Sequence, residues 1–307
     1  MSWITAAELV RSGRLRPAPL LAESLVKAAL AEDLGRGGDI TSDLIFAPDH
    51  RSAFVLRARQ NGVLAGLAPA LAVWAYLDET VELQVAVQDG ERIATGTAIL
   101  EARGPTRALL TGERTVLNFL GHLSGIATRT RRFADLVDGT KARIVDTRKT
   151  LPGLRTFQKY AVTCGGGFNH RLGLDDGVLI KDNHIAACGS LTEAVQRARK
   201  ALGHTVKVEV EVDTLEQFEE ALPLADIILL DNFTTADMTK AVSRRNSFPG
   251  VKPLLEASGG VNEATVRPIA ETGVDVISIG ALTHSVTNFD FGLDASIPLR
   301  TRSAVSV

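Results

Sequence analysis

The chain has 307 residues, enough for about two domains and for a full hydrophobic core. With 45% hydrophobic and 23% charged residues it has the composition of an ordinary globular protein, which excludes wholesale disorder. A net charge of −2 excludes a general nucleic-acid binder, which needs a broad cationic face, and two cysteines, Cys164 and Cys188, without ligand-like spacing exclude a disulfide scaffold or structural zinc.

Residues 1–117 read as an α+β sandwich domain. An amphipathic helix over Leu20–Glu32 runs into a glycine-rich turn at Gly35–Gly38, followed by strands near Ser52–Arg59, Val81–Val87 and Thr97–Glu101, with a turn at Asp89-Gly90. A long helix over Gly112–Val137 leads into the second domain, residues 118–284, and the C-terminal segment 285–307 is expected to rejoin the first, with Thr301–Val307 frayed. Met1–Val10 lacks the pattern of a secretory leader and no apolar stretch has membrane-spanning length, so a cytoplasmic protein without a membrane partner is expected.

From residue 143 onward short β-branched runs alternate with amphipathic stretches, the pattern of a (β/α) fold. The runs are 143–146, 178–182, 206–212, 225–231, 254–258 and 274–280, with helices between them such as 191–202 and 214–222. Each run ends in a polar residue or glycine: Asp146, Lys181 with Asp182, Glu211, Asp231, Ser258 and Gly280. In an incomplete TIM-like (β/α) barrel those ends form one face, where successive loops assemble an active site. An open dinucleotide-binding sheet fits less well, since no Gly-x-Gly-x-x-Gly opens a helix after a strand. Strict alternation in Val206-Lys-Val-Glu-Val-Glu-Val212 puts the valines on one face and Lys207, Glu209 and Glu211 on the other, toward the lumen. Carboxylates buried there need counter-ions, and Lys149 and Lys181 are the expected ones.

The chemistry concentrates in one stretch. Between Lys141 and His184 stand eight Lys or Arg residues against four Asp, although the whole chain is slightly acidic. The cations sit among Gly, Asn and His in Asp146-Thr-Arg-Lys-Thr-Leu-Pro-Gly-Leu-Arg155, Gly165-Gly-Gly-Phe-Asn-His-Arg171 and Ile180-Lys-Asp-Asn-His184, which suits convergence on carboxylates or phosphates. Ser258-Gly-Gly260 and Ile279-Gly-Ala281 follow the last two strands, where barrels bind phosphate through backbone N–H groups; His284 is either a further donor or a structural histidine. Glu211 and Asp231 suit either magnesium, a hard ion that takes a few carboxylate oxygens, or simple ion pairs.

These segments, together with Glu32-Asp-Leu-Gly35, Gly38-Asp-Ile-Thr-Ser42, Glu113-Arg-Thr-Val-Leu-Asn118, Gln158-Lys-Tyr-Ala161, Glu209-Val-Glu211, Leu230-Asp-Asn232 and Gly280-Ala-Leu-Thr-His284, resemble the quinolinate phosphoribosyltransferases, also called nicotinate-nucleotide pyrophosphorylases. The resemblance covers nearly the whole chain. It implies decarboxylating transfer of the phosphoribosyl group from phosphoribosyl pyrophosphate to quinolinate, giving nicotinate mononucleotide, carbon dioxide and pyrophosphate. It also implies a Mg2+ cofactor and a homodimer, or a higher oligomer, with shared active sites. Carried over by position, Arg148, His170 and Arg171, with Arg114 from a second copy, would hold the dicarboxylate. Lys149 and Lys181 would bridge the two substrates, Glu211 and Asp231 would face ribose and metal, and Ser258, Gly259, Gly260, Gly280 and His284 would take the 5-phosphate. Catalytic roles are expected of Lys149, Lys181, Glu211 and Asp231. A relative of the molybdate-transport-associated type and a non-catalytic phosphate-ligand-binding barrel are the alternatives; the joint presence of Arg148, Arg171 and Lys181 favours the enzyme.

Overall fold

The computed structural model describes residues 3–296. The chain divides into two compact units, one made of residues up to 128 together with those from 287 onward, the other of residues 129–286. The expected fraying at 301–307 falls outside the described residues.

In the first unit a five-stranded antiparallel sheet is built from β1 (Ile4–Thr5), β2 (Arg51–Ala58), β4 (Glu82–Val85), β6 (Ala98–Pro105) and the late strand β13 (Phe291–Ala295), in the order β1-β4-β6-β2-β13; β3 (Gly62–Val63) and β5 (Arg92–Ile93) form a separate ribbon. The last strand pairs with β2 from Phe291 opposite Ala58 to Ala295 opposite Phe54. The first predicted helix is displaced toward the C-terminus: Pro19–Ala22 forms a single 3-10 turn, and the α-helix proper runs Glu23–Leu34 and stops at Gly35, whose φ of 52° an L side chain rarely adopts. A helix over Leu67–Leu77 buries Trp74, whose indole N–H donates to the Leu109 carbonyl at 3.2 Å. The long helix is longer than its pattern suggests, Thr106–Leu136, and the division between the units falls within it.

The second unit carries a six-stranded, all-parallel sheet: β7 (Arg143–Val145), β8 (Val178–Ile180), β9 (Val208–Val212), β10 (Ile227–Asp231), β11 (Leu254–Ser258) and β12 (Val276–Ser278), in the order β7-β12-β11-β10-β9-β8. With helices between successive strands this is an incomplete (β/α) barrel. Three connecting helices start where the sequence supplies a side-chain oxygen for an unpaired N–H of the first turn: Ser190 accepts from Glu193 N, Thr214 from Gln217 N and Thr234 from Asp237 N. Val208, Val210 and Val212 are fully buried, while Glu211 lines the central cavity, so the valines pack on the helix layer as the alternation requires. Strand β9 begins at Val208 rather than 206, which leaves Lys207 exposed before it instead of in the lumen.

β7 and β8 are the two ends of the sheet, so the barrel has a seam there. Part of that seam is covered by main chain: Phe168 makes an isolated parallel bridge with Val145, its N–H donating to the Ile144 carbonyl at 2.8 Å.

Candidate active site

At the C-terminal ends of the barrel strands lies a cavity of about 370 Å³, a size that suits a small organic ligand. Thr147, Arg148 and Lys149 enter it from the loop after β7, His170 and Arg171 from the seam segment, and Leu179 and Lys181 from β8 and the residue after it. Glu211 comes from β9, Leu229 and Asp231 from β10, Glu256 and Ser258 from β11 and Ser278 from β12. Eight sequence-predicted residues thus share one cavity: Arg148, Lys149, His170, Arg171, Lys181, Glu211, Asp231 and Ser258.

The other predicted residues lie outside its lining. A side chain at Gly280 would approach Lys149 Cδ to 2.9 Å and His284 Cδ2 to 3.3 Å, which puts both at that turn. Gly259 has φ +91°, and an added Cβ would fall 2.1 Å from Asn232 Oδ1, so only glycine fits beside that side chain. Asn232 itself has φ 55°, a strained value for a side-chain-bearing residue, held by its N–H donating to the Ser258 carbonyl at 2.9 Å. Arg114 is exposed on the long helix, in the other unit.

The lining residues missed in the sequence share one signal. Leu179, Leu229, Glu256 and Ser278 each stand two positions before a strand-end residue already singled out, namely Lys181, Asp231, Ser258 and Gly280. Strand periodicity alone puts each pair on the same face. Thr147 has no such signal.

Counter-ions are distributed differently from expectation. Lys181 Nζ donates to Glu211 Oε2 at 2.5 Å, as expected. Glu209 is met by His170, whose Nε2 lies 3.1 Å from Glu209 Oε2 and 3.6 Å from Glu256 Oε2, and not by Lys149. Burial pulls the His170 pKa down, but the hydrogen bond to Glu209 and the charges of Glu256 and Glu209 together outweigh it and raise it above the usual value. Burial, reinforced by the Glu209 charge, pushes Glu256 up to about 7 against the pull of His170 and Ser278. Ligand atoms of His170, Glu209 and Glu256 lie within 4.8 Å of one another. When protonated, His170 lies close enough to offset the charge of both carboxylates. Burial and the neighbouring Arg148 charge lower the Arg171 pKa. The charges of Glu209 and Asp176 act in the opposite direction.

Asp231 Oδ2 accepts from Asn232 Nδ2 at 2.8 Å. With Glu211 it offers hard oxygen donors from neighbouring strands, a set that fits magnesium better than a softer metal. Among the described residues no helix is long and apolar enough to cross a membrane.

Comparison with known proteins gives concordant results. Residues 126–294 match the family model for the quinolinate phosphoribosyl transferase C-terminal domain, and residues 39–124 match the model for its N-terminal domain. The chain is 47% identical over 280 residues to a nicotinate-nucleotide pyrophosphorylase (carboxylating) of Mycobacterium leprae, covering 89% of this chain and 96% of the relative. It is 44% identical over 276 residues to a probable enzyme of the same name from Bacillus subtilis, covering 90% and 93%. Among solved structures, the nicotinate-nucleotide pyrophosphorylase from Francisella tularensis superposes with a TM-score of 0.86 at 40% identity, covering 91% of this chain and 97% of that one.

Proposed function

The chain belongs to the quinolinate phosphoribosyltransferase family, and from that premise we propose that its barrel mouth joins quinolinate to phosphoribosyl pyrophosphate, releasing pyrophosphate and carbon dioxide and leaving nicotinate mononucleotide. The observation that carries the assignment is the convergence of Arg148, Lys149, His170, Arg171 and Lys181 on the cavity that also holds Glu211 and Asp231. A dianionic ring and a polyphosphate must be held together, and only such a mixed surface can hold both while tolerating a cationic transition state.

Arg148, His170 and Arg171 grip the two carboxylates. Arg148 Nε is buried with no hydrogen-bond partner, a donor of the kind a planar carboxylate takes. Burying it unpaired costs on the order of 1–3 kcal/mol, which a bound carboxylate recovers. Lys149 and Lys181 bridge the dicarboxylate and the phosphoribosyl group. The ring nitrogen displaces pyrophosphate at ribose C1, and positive charge developing on the sugar is stabilised by Glu211 and Asp231. Departure of carbon dioxide leaves its electron pair on the carbon beside the alkylated nitrogen, where the ring cation stabilises it; a proton then takes the vacated position. The protein's part in that step is to orient the carboxylate; Lys149 assists.

Ser258, Gly259, Gly260, Gly280 and His284 take the 5-phosphate, with the glycines letting backbone N–H groups approach. Bound at Glu211 and Asp231, Mg2+ would neutralise charge on the leaving pyrophosphate. The proposal includes a cytoplasmic homodimer in which Arg114 reaches the dicarboxylate from the second copy; paucity of cysteine supports the compartment.

The test is incubation of the purified protein with quinolinate, phosphoribosyl pyrophosphate and Mg2+, following loss of quinolinate and release of carbon dioxide, with nicotinate as the competing base. Stoichiometric formation of nicotinate mononucleotide from quinolinate is expected. Preferential use of nicotinate, or no turnover of either base, overturns the assignment.

A further inference from the structure

The barrel seam between β7 and β8 raises a mechanical question. His170 and Arg171, two of the groups assigned to the dicarboxylate, lie in irregular chain between the helix Arg155–Cys164 and β8. Irregular chain does not by itself hold side chains to the fraction of an ångström that recognition of two adjacent carboxylates needs. Something else must fix them.

Directly beneath lies a polar pair that the reaction does not use. Asp146 is 0% and Lys159 1% exposed, and the Lys159 ammonium donates to Asp146 Oδ1. A buried ion pair of this kind adds little net stability, because desolvation offsets the attraction between its charges. Its other bonds point in one direction. Lys159 Nζ also donates to the His170 carbonyl at 2.9 Å, and the His170 N–H donates to Asp146 Oδ1 at 3.0 Å. Asn169 Nδ2 donates to Asp146 Oδ2 at 2.6 Å and to the Lys159 carbonyl at 2.8 Å. The Asp146 N–H donates to the Phe168 carbonyl at 3.3 Å. On the far side, Arg171 Nη1 donates to the Gly177 carbonyl at 3.0 Å, one residue before β8. The chain from 168 to 171 is therefore tied at main chain and side chain to the end of β7 and, through Arg171, to the start of β8.

We propose that the buried Asp146–Lys159 pair is a positioning device that clamps the Phe168–Arg171 segment across the barrel seam and so sets recognition of the dicarboxylate. The inference rests on the function proposed above. Neither residue touches substrate; both act through His170 and Arg171. A clamp of this kind affects one substrate and not the other, since Ser258–Gly260 and Gly280 depend on different strands.

The test uses the full chain. Removing one partner leaves a buried charge unpaired and endangers folding, so the main variant is the charge-balanced double substitution Asp146→Asn with Lys159→Met, with Asn169→Ala as a milder one at an exposed residue. In the double variant the quinolinate KM is expected to rise at least tenfold while the phosphoribosyl pyrophosphate KM stays within twofold; Asn169→Ala is expected to give a smaller rise of the same selectivity. Hydrogen exchange at the His170 amide, read without substrate, is expected to be slow in the wild type and at least tenfold faster in Asn169→Ala. Equal changes in both KM values, no change in either, or unaltered amide protection in Asn169→Ala overturns the clamp. Failure of the wild type to turn over quinolinate would overturn the functional assignment instead, and the exchange measurement would still decide on the clamp.

Discussion

The cavity has two unlike sides. Its carboxylates, Glu211, Asp231 and Glu256, stand on three adjacent parallel strands, while Arg148, Lys149, His170 and Arg171 come from irregular chain on either side of the helix Arg155–Cys164. A strand presents a side chain at a position set by the ladder. A loop must be tied down, and the structure supplies the ties: Arg155 Nε donates to Thr150 Oγ1 at 3.0 Å and its Nη1 to the Leu172 carbonyl at 3.3 Å, joining the two loops, and Gln158 Oε1 accepts from Leu151 N at 2.9 Å. These acidic residues are thus placed by the sheet, as is Lys181 directly after β8, and the four loop residues by a second network laid over it.

The contrast predicts unequal consequences of mutation. The largest is expected of Arg148→Ala. If the guanidinium meets a carboxylate in a desolvated setting, its removal costs about 2–5 kcal/mol of transition-state stabilisation, roughly 30- to 5,000-fold in kcat/KM. Steady-state kinetics with quinolinate varied checks this, and unchanged constants would remove the loop side from the site.

The acidic side should respond to pH. The Glu256 pKa is raised in the folded chain, to about 7, so between its ordinary value and about 7 the native state holds a proton that the unfolded chain has lost. Stability therefore falls as pH rises through that window. The raised pKa of His170 has the same sign and continues the loss above the usual histidine range. Replacing Glu256 with Gln, which cannot ionise, should flatten the slope by an amount on the order of 1–3 kcal/mol between pH 5 and 8. Thermal melts of both proteins across that range decide it; parallel curves would mean that Glu256 does not titrate there.

A smaller effect is expected of Arg155→Ala. Loss of the bonds between the loops should cost under about 1.5 kcal/mol of stability and raise the quinolinate KM a few-fold, with little change for phosphoribosyl pyrophosphate. A change confined to melting temperature would show that the loops hold their positions without this tie.

Much of the barrel was legible because period-2 alternation and terminal polar groups mark a strand buried on its outer face. Leu254–Ser258 has the bounds its pattern suggests, and Ile227–Asp231 ends where expected. Lys207 lies outside the lumen because alternation in the sequence runs past the strand's first residue, Val208: the Lys207 carbonyl still accepts from the Val178 N–H at 3.1 Å, but the residue is exposed. Glu256 was overlooked although Ser258, two residues on, was marked; the same rule that put Glu209 with Glu211 applied to it. The pairing of carboxylates with His170 instead of Lys149 was not legible, since it depends on where the chain after the helix Arg155–Cys164 returns to the sheet. The bond from Lys159 to Asp146 is of this kind also: both residues stand in marked motifs, but they are thirteen positions apart, one directly after β7 and the other within the helix Arg155–Cys164.

Burial of Lys159 has a practical corollary. At 1% exposure its amine is shielded from acylating reagents in the native chain, whereas Lys149 is exposed and Lys181 has a side chain 45% exposed. Modification at Lys159 would thus record opening of the barrel itself, giving each molecule a built-in covalent marker of unfolding that substrate-site lysines do not supply.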